Sequence, residues 1–154
     1  MAVKKISEST SRQQMMDLLL RLLNMSFTKA GLTVGGTSTK IKIAVATMFC
    51  INGLAYKKAI TDNITITAGA EQALATFCKY LVSLNAAGTV TTTKGDDAAT
   101  AALALVPALP DDNAPVGYFQ VETGGAITFT AGTTDLAGDV TVTYVDMNSV
   151  VTEK

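Results

Sequence analysis

The 154-residue chain has no histidine, two cysteines and a net charge of −1, with 48% hydrophobic but only 16% charged residues. Soluble domains usually carry about 25% charged residues, so this deficit and a mean hydropathy of +0.32 favour a surface that faces partners, as in an obligate oligomer or a particle-bound protein, over an uncharged Thr/Ser/Gly surface on a monomer. The missing imidazole removes the default general base, the usual triads and the commonest metal ligand, and no basic stripe accompanies the aromatics as nucleic-acid binding requires.

Residues 1–10 read as an extended polar arm. Ser11 offers an N-cap and Gln14 completes a capping box, opening QQMMDLLLRLLNMSF, a run of good helix formers without Gly or Pro. This predicts an amphipathic helix at about 12–28, with Met15, Leu18, Leu19, Leu22 and Met25 on one stripe and Gly31 where a helix end favours a left-handed residue. The helix either covers one face of the β domain or packs on sister subunits through its heptad-like spacing. Asp17 and Arg21 interrupt the apolar run before it reaches membrane-spanning length, and polar SESTSRQQ stands where a signal peptide's apolar core would begin. A protein made and used without secretion, away from membranes, is the expectation.

A Gly/Thr-rich connector closes a first region, 1–40, and a β domain over 41–154 follows, the whole forming one compact domain. Alternation of Ile41, Ile43 and Val45 with Lys40, Lys42 and Ala44 predicts a strand over 41–51. Asn52-Gly53 predicts a type I′ turn into strand 54–60. Strand 63–68 comes next. Residues from Glu71 read as helix or strand, and 76–84 is taken as strand by its likeness to 139–146. A turn at 85–88 leads to strand 89–93; Asp96 caps a short Ala-rich helix at about 97–105, stopped by Pro107. All three prolines punctuate the loop 106–115. Strands 116–122, 126–131 and 139–146 complete the body, and 148–154 is a polar tail.

Residues 53–84 can be laid on residues 116–147 without a gap: Ile64-Thr65-Ile66-Thr67-Ala68-Gly69 falls on Ile127-Thr128-Phe129-Thr130-Ala131-Gly132, and Tyr56 falls on Phe119. Phe77, Lys79 and Leu81 fall on Val140, Val142 and Tyr144. The fold expected is therefore mainly β (α+β): an antiparallel β-sandwich or barrel of two similar β units, with the N-terminal amphipathic helix and the Ala-rich helix added.

The echo carries turn and strand chemistry and no reactive constellation. Neither a phosphate-binding loop nor a dinucleotide fingerprint occurs, and two cysteines without histidine or C-x₂-C spacing cannot complete a zinc site. No catalytic residue, metal or cofactor is expected, and the protein is read as no enzyme. Cys50 and Cys78 read as buried thiols, with a single bridge between neighbouring strands as the alternative. Asp111-Asp112-Asn113 reads as a solvated turn lacking EF-hand spacing. Lys4-Lys5 and Lys57-Lys58 are solvated charges or ion pairs with a partner, and Tyr118 and Tyr144 are candidates for stacking on sugars or for packing.

The segment from FCKYLVSLNAAGTVTTTKGDD through GYFQVETGGAITFTAGTTDL resembles small virion structural proteins of tailed bacteriophages, such as head decoration (cement) proteins and other minor head and tail components. The resemblance spans roughly 41–146 and rests on the order of features: a Lys-Tyr strand, a T-V-T-x-x-K-G strand, an Ala-rich helix, an LP loop, an x-G-Y-F-x-V strand and F-T-A-G-T-T-D-L. It implies a non-enzymatic, many-copy virion protein, made in the host cytoplasm, that binds the capsid exterior. Its partners would be the major capsid protein and its own copies, as a trimer or dimer, with Lys4, Lys5, Met15, Leu18, Leu19, Leu22 and Met25 as contact candidates. The alternative is a tail or fibre-associated module binding host surface glycans.

Overall fold

The structure, a computed structural model, describes residues 24–67, 69 and 71–147. Ten strands appear in chain order: β1 (Met25–Ser26), β2 (Leu32–Val34), β3 (Ile41–Ile43), β4 (Thr47–Ile51), β5 (Leu54–Lys58), β6 (Thr61–Ile64), β7 (Phe77–Asn85), β8 (Val90–Lys94), β9 (Asn113–Glu122) and β10 (Thr141–Asp146). They form three antiparallel sheets, ordered β1-β4-β5, β2-β3-β6 and β10-β9-β7-β8. The protein is mainly β, and the described residues contain no helix.

The two three-stranded sheets are made by the same three passes of chain. Met25 lies opposite Cys50 and Val34 opposite Ile41, so one register runs through β1–β4 and β2–β3. The gap between them is bridged by Phe27 N–H donating to Met48 O, Val45 N–H to Ala30 O and Ala44 N–H to Gly31 O. A register shift in the pairing of β3 with β6, between Ile41 and Ile43, bends the third pass just before this gap. The single strand expected over 41–51 is thus two strands, parted at 44–46. Asn52 and Gly53 both take positive φ, 50° and 81°, and set Ile51 opposite Leu54, as the type I′ turn requires.

In the four-stranded sheet β7 is central. Its even positions, Cys78, Tyr80, Val82 and Leu84, join Phe119 and Val121 of β9, Val142 and Tyr144 of β10, and Ile41, Ile43, Phe49 and Phe129 in the core. Tyr80 stacks on Phe119 at 5.0 Å between ring centroids and meets Phe129 edge-on at 5.4 Å. β9 begins three residues before its expected start and includes Pro115. Val82 pairs with Gly117 and Ser83 with Pro115, leaving Val116 bulged, and a bulge tolerates a residue without an N–H.

The body is not a closed barrel. Side chains, in place of ladder bonds, join the layers along two seams. On one, Ser26 Oγ donates to Pro115 O at 2.6 Å and Leu32 N–H to Asp146 Oδ1 at 3.0 Å. On the other, Thr67 N–H donates to Thr92 Oγ1 at 2.8 Å and Lys58 Nζ to Gly88 O at 2.7 Å.

Three further expectations are corrected. The described end of the helix expected at 12–28 is extended, with Met25 in β1; the rest of that helix lies outside the described residues. Residues 97–105 form no helix. Ala98 exchanges both backbone hydrogen bonds with Phe77, and the N–H groups of Leu103 and Ala104 both reach Thr100 O, a single turn. A short Ala-rich run has weak helical stability of its own, so tertiary pairing prevails. The strand expected at 126–131 is only a bridge between Gln72 and Phe129.

The echoed segments also occupy different places. β5 edges a three-stranded sheet while its counterpart β9 lies inside the four-stranded one. Core positions of β7 are even, yet the echo sets Lys79 and Leu81 on the core-facing Val142 and Tyr144. With a period of two, that offset inverts the faces. What repeats is local: Ile66 and Phe129 are both core, and Gly69 and Gly132 both have positive φ.

Candidate interaction surface

β8 and β9 flank β7 antiparallel, so they run parallel to each other. Lys94 ends β8 opposite Tyr80, whereas Asn113 opens β9 opposite Asn85. Residues 95–112 must therefore travel back along β7. None of them joins the central core, so they cross the opposite face of the sheet, where Leu81 and Ser83 are 2% and 0% exposed. This buries β7 on both sides and accounts for its near-continuous apolar run.

The crossing segment is pinned at its ends and apolar at its crest. Phe77 and Ala98 exchange two hydrogen bonds of 2.8 Å. A Cβ on Gly95 would lie 2.8 Å from Leu105 O, so the returning chain lies directly on that backbone. Ala104 is buried at 1% exposure, and on either side of it Leu103 and Leu105 stand 66% and 74% exposed, the two most exposed large apolar side chains among the described residues. A buried alanine between two outward leucines fixes a raised aliphatic ridge. Four aspartates surround it in sequence, Asp96, Asp97, Asp111 and Asp112, all exposed.

The densest polar cluster lies beneath one end of this crossing. Gln72, fully buried, donates from Nε2 to Thr76 O and Val121 O and accepts from Tyr80 Oη at 3.2 Å. Cys78 Sγ donates to Gly95 O at 3.3 Å, and Lys94 pairs with Asp97, whose other oxygen accepts from Ala73 N–H at 2.9 Å. Burial pushes the Cys78 thiol up despite the nearby Lys94, and burial, then the Cys78 sulfur, pushes the Tyr80 phenol up. A protonated thiol is a poor nucleophile. Asp97 is held low: burial opposes ionisation, but the Lys94 ammonium and the Ala73 N–H outweigh it. The arrangement ties three backbone segments together and offers a substrate no free ionised group.

The remaining expected positions are dispersed. Cys50 and Cys78 are both buried and unbridged. Asp112 Oδ1 accepts from Asn52 Nδ2 at 2.9 Å, and Asn113 opens β9, so that turn braces the tip of the β4–β5 hairpin. The Lys79 ammonium sits 5.3 Å from the Tyr118 ring centroid, covering one face of the ring. Tyr144 is packed against the core. Lys57 is exposed on β5, while Lys58 is spent on the seam. Met25 is half-buried opposite Cys50; Lys4, Lys5, Met15, Leu18, Leu19 and Leu22 lie outside the described residues. Among the described residues no three His, Cys, Asp or Glu side chains converge as a metal site, and no helix is long and apolar enough to cross a membrane.

The Leu103–Leu105 ridge was not anticipated, because an Ala-rich helix would have turned part of that segment inward. The signal present in the sequence was the apolar-small-apolar order just before Pro107. No protein family, curated protein or solved structure matches the chain.

Proposed function

We propose that the protein is a non-enzymatic virion structural protein of a tailed bacteriophage, a β-sandwich body that binds the capsid exterior as a decoration (cement) protein and works in many copies. The observation that carries this reading is the rigidly mounted ridge of Leu103 and Leu105 on a chain with only 16% charged residues. Apolar side chains held outward by a buried anchor suit a permanent contact better than free solution. Such a protein acts by area: a contact burying about 1,500 Å² in total is enough for tight clamping of neighbouring shell subunits. The N-terminal arm, with Lys4 and Lys5, and the stripe of Met15, Leu18, Leu19, Leu22 and Met25 are the proposed additional contacts to the shell and to sister subunits.

The deciding measurement is the abundance of this chain, by mass spectrometry, in gradient-purified particles relative to the major shell protein. A ratio near one per shell subunit, or a simple fraction of it, supports decoration. A handful of copies per particle moves the protein to the tail or portal region, and absence from particles removes the reading. Deleting residues 1–10 should weaken particle binding while leaving the β-rich circular dichroism spectrum intact.

A further inference from the structure

Charge is divided between the two layers of the body. Residues 24–67, which build both three-stranded sheets, hold five lysines against one aspartate. Residues 69–147, which build the four-stranded sheet and its crossing segment, hold two lysines against nine carboxylates. The outward faces express this division. Over residues 40–43 the inward Ile41 and Ile43 alternate with Lys40 and Lys42, the latter 3.8 Å from Asp62, the single carboxylate of this layer. On the β4–β5 ladder the inward Phe49–Tyr56 pair alternates with an outward Met48–Lys57 pair, where Met48 is 47% exposed. The opposite outer face carries Leu103 and Leu105 with Asp96 and Asp111 at the two ends of the crossing segment. One face is thus apolar with a basic setting and the other apolar with an acidic setting, on opposite sides of one molecule.

We infer that these two faces are the two halves of one contact between copies of this chain: the Leu103–Leu105 ridge of one copy seats on the outer Met48–Lys57 face of the next. The occupant is a second copy because the chain itself supplies the complement in both charge and hydrophobicity. Electrostatic matching of this kind sets orientation and encounter rate, while the two leucines supply the desolvated centre. The contact is heterologous, and because the faces are opposed it extends into a row and does not close as a two-fold dimer. It deepens the many-copy reading above but does not require the capsid: a chain that self-associates in solution and is absent from particles would leave this contact standing and remove only the virion role.

The test is sedimentation of the full chain across a concentration series in about 0.05 M and about 0.5 M salt, where exposed charges are screened beyond a few ångströms. Mass should rise with concentration beyond a dimer, and the rise should shrink in the higher salt. Leu103→Ser with Leu105→Ser alters only exposed side chains and should lower the association constant at least about tenfold. Two charge-reversed chains make the sharper test: Lys40→Glu/Lys57→Glu and Asp96→Lys/Asp111→Lys, each confirmed folded by its urea midpoint. Each alone should stay monomeric, and mixing them should restore association, since the first presents two acidic faces and the second two basic ones. A wild-type chain that stays monomeric, as it would if its own N-terminal residues cover the lysine face, overturns the inference. So does association that the variants leave unchanged, or a mixture that fails to associate.

Discussion

Gly117 shows how tightly single positions are specified. A Cβ there would sit 2.4 Å from Val145 O and 2.6 Å from Leu32 Cδ1, so β10 and β2 both close on a bare backbone. Backbone on one side cannot yield as a side chain would, and Gly117→Ala should destabilise by about 1–3 kcal/mol, read as a lowered urea midpoint. Gln72 is the polar counterpart. Gln72→Leu keeps the volume but leaves Thr76 O, Val121 O and the Tyr80 hydroxyl without this partner, a loss of about 2–3 kcal/mol, whereas Tyr80→Phe removes one bond end and should lose nearer 1 kcal/mol. The tyrosines also set a basic limit. Desolvation pushes Tyr144 up to about 12, above the ordinary value near 10, and pushes Tyr80 in the same direction. The folded state therefore holds its phenolic protons more tightly than the unfolded chain. That contribution is complete below about pH 10 and is lost as pH rises through about 12. Tyr144→Phe should flatten the fall in denaturation midpoint over this window relative to wild type, which isolates the contribution of this phenol.

At the level of elements, the β4–β5 hairpin is fixed by its turn. Gly53 sits at φ 81° after Asn52 at φ 50°, and Gly53→Ala places a Cβ in the left-handed region at about 1–2 kcal/mol; a lowered melting temperature with an unchanged circular dichroism spectrum is the expected result. This element was legible because Asn-Gly states a backbone requirement in two letters. β8 and β10 were legible for a similar reason, each set off by turn residues, whereas β7, open to a helical reading from Glu71, was placed only by its likeness to β10. The Ala-rich segment was not legible, because its sequence reports helix propensity while its conformation is decided by Phe77, twenty-one positions away from Ala98 in the ladder it joins. The kink at 44–46 was hidden too. Ala44, Val45 and Ala46 continue the strand pattern, and only the loose pairing with Ala30 and Gly31 and the register shift beside Thr61–Ile64 reveal that the layer bends there. The echo misled by one residue of phase, which local likeness cannot detect and face inversion exposes. The surface ridge followed the same logic: its leucines were visible as residues, but their exposure depends on Ala104 being the side chain that turns inward.

The whole molecule is held together by contacts between parts of the chain that are far apart in sequence, since Ser26 reaches Pro115 across 89 residues and Leu32 reaches Asp146 across 114. Non-local closure of this kind places an all-β domain in the slow range, so refolding on a millisecond-to-second scale is expected in stopped-flow dilution from denaturant. The seam bond at Asp146 tests whether the layers depend on these side-chain links. Leu32 N–H is part-buried beside β10, and its partner is a carboxylate oxygen at 3.0 Å. Asp146→Ala leaves that donor without the carboxylate and should destabilise by about 1–3 kcal/mol, whereas Asp146→Asn keeps an acceptor oxygen in place and should lose less than half as much. If the seam forms late, the alanine variant should unfold faster while its refolding rate barely changes, because a contact absent from the transition state acts on the unfolding limb alone. Equal losses for the two variants would show instead that the charge, and not the acceptor, holds β2 against β10. The layers would then be joined by the same electrostatic division that sets their outer faces apart.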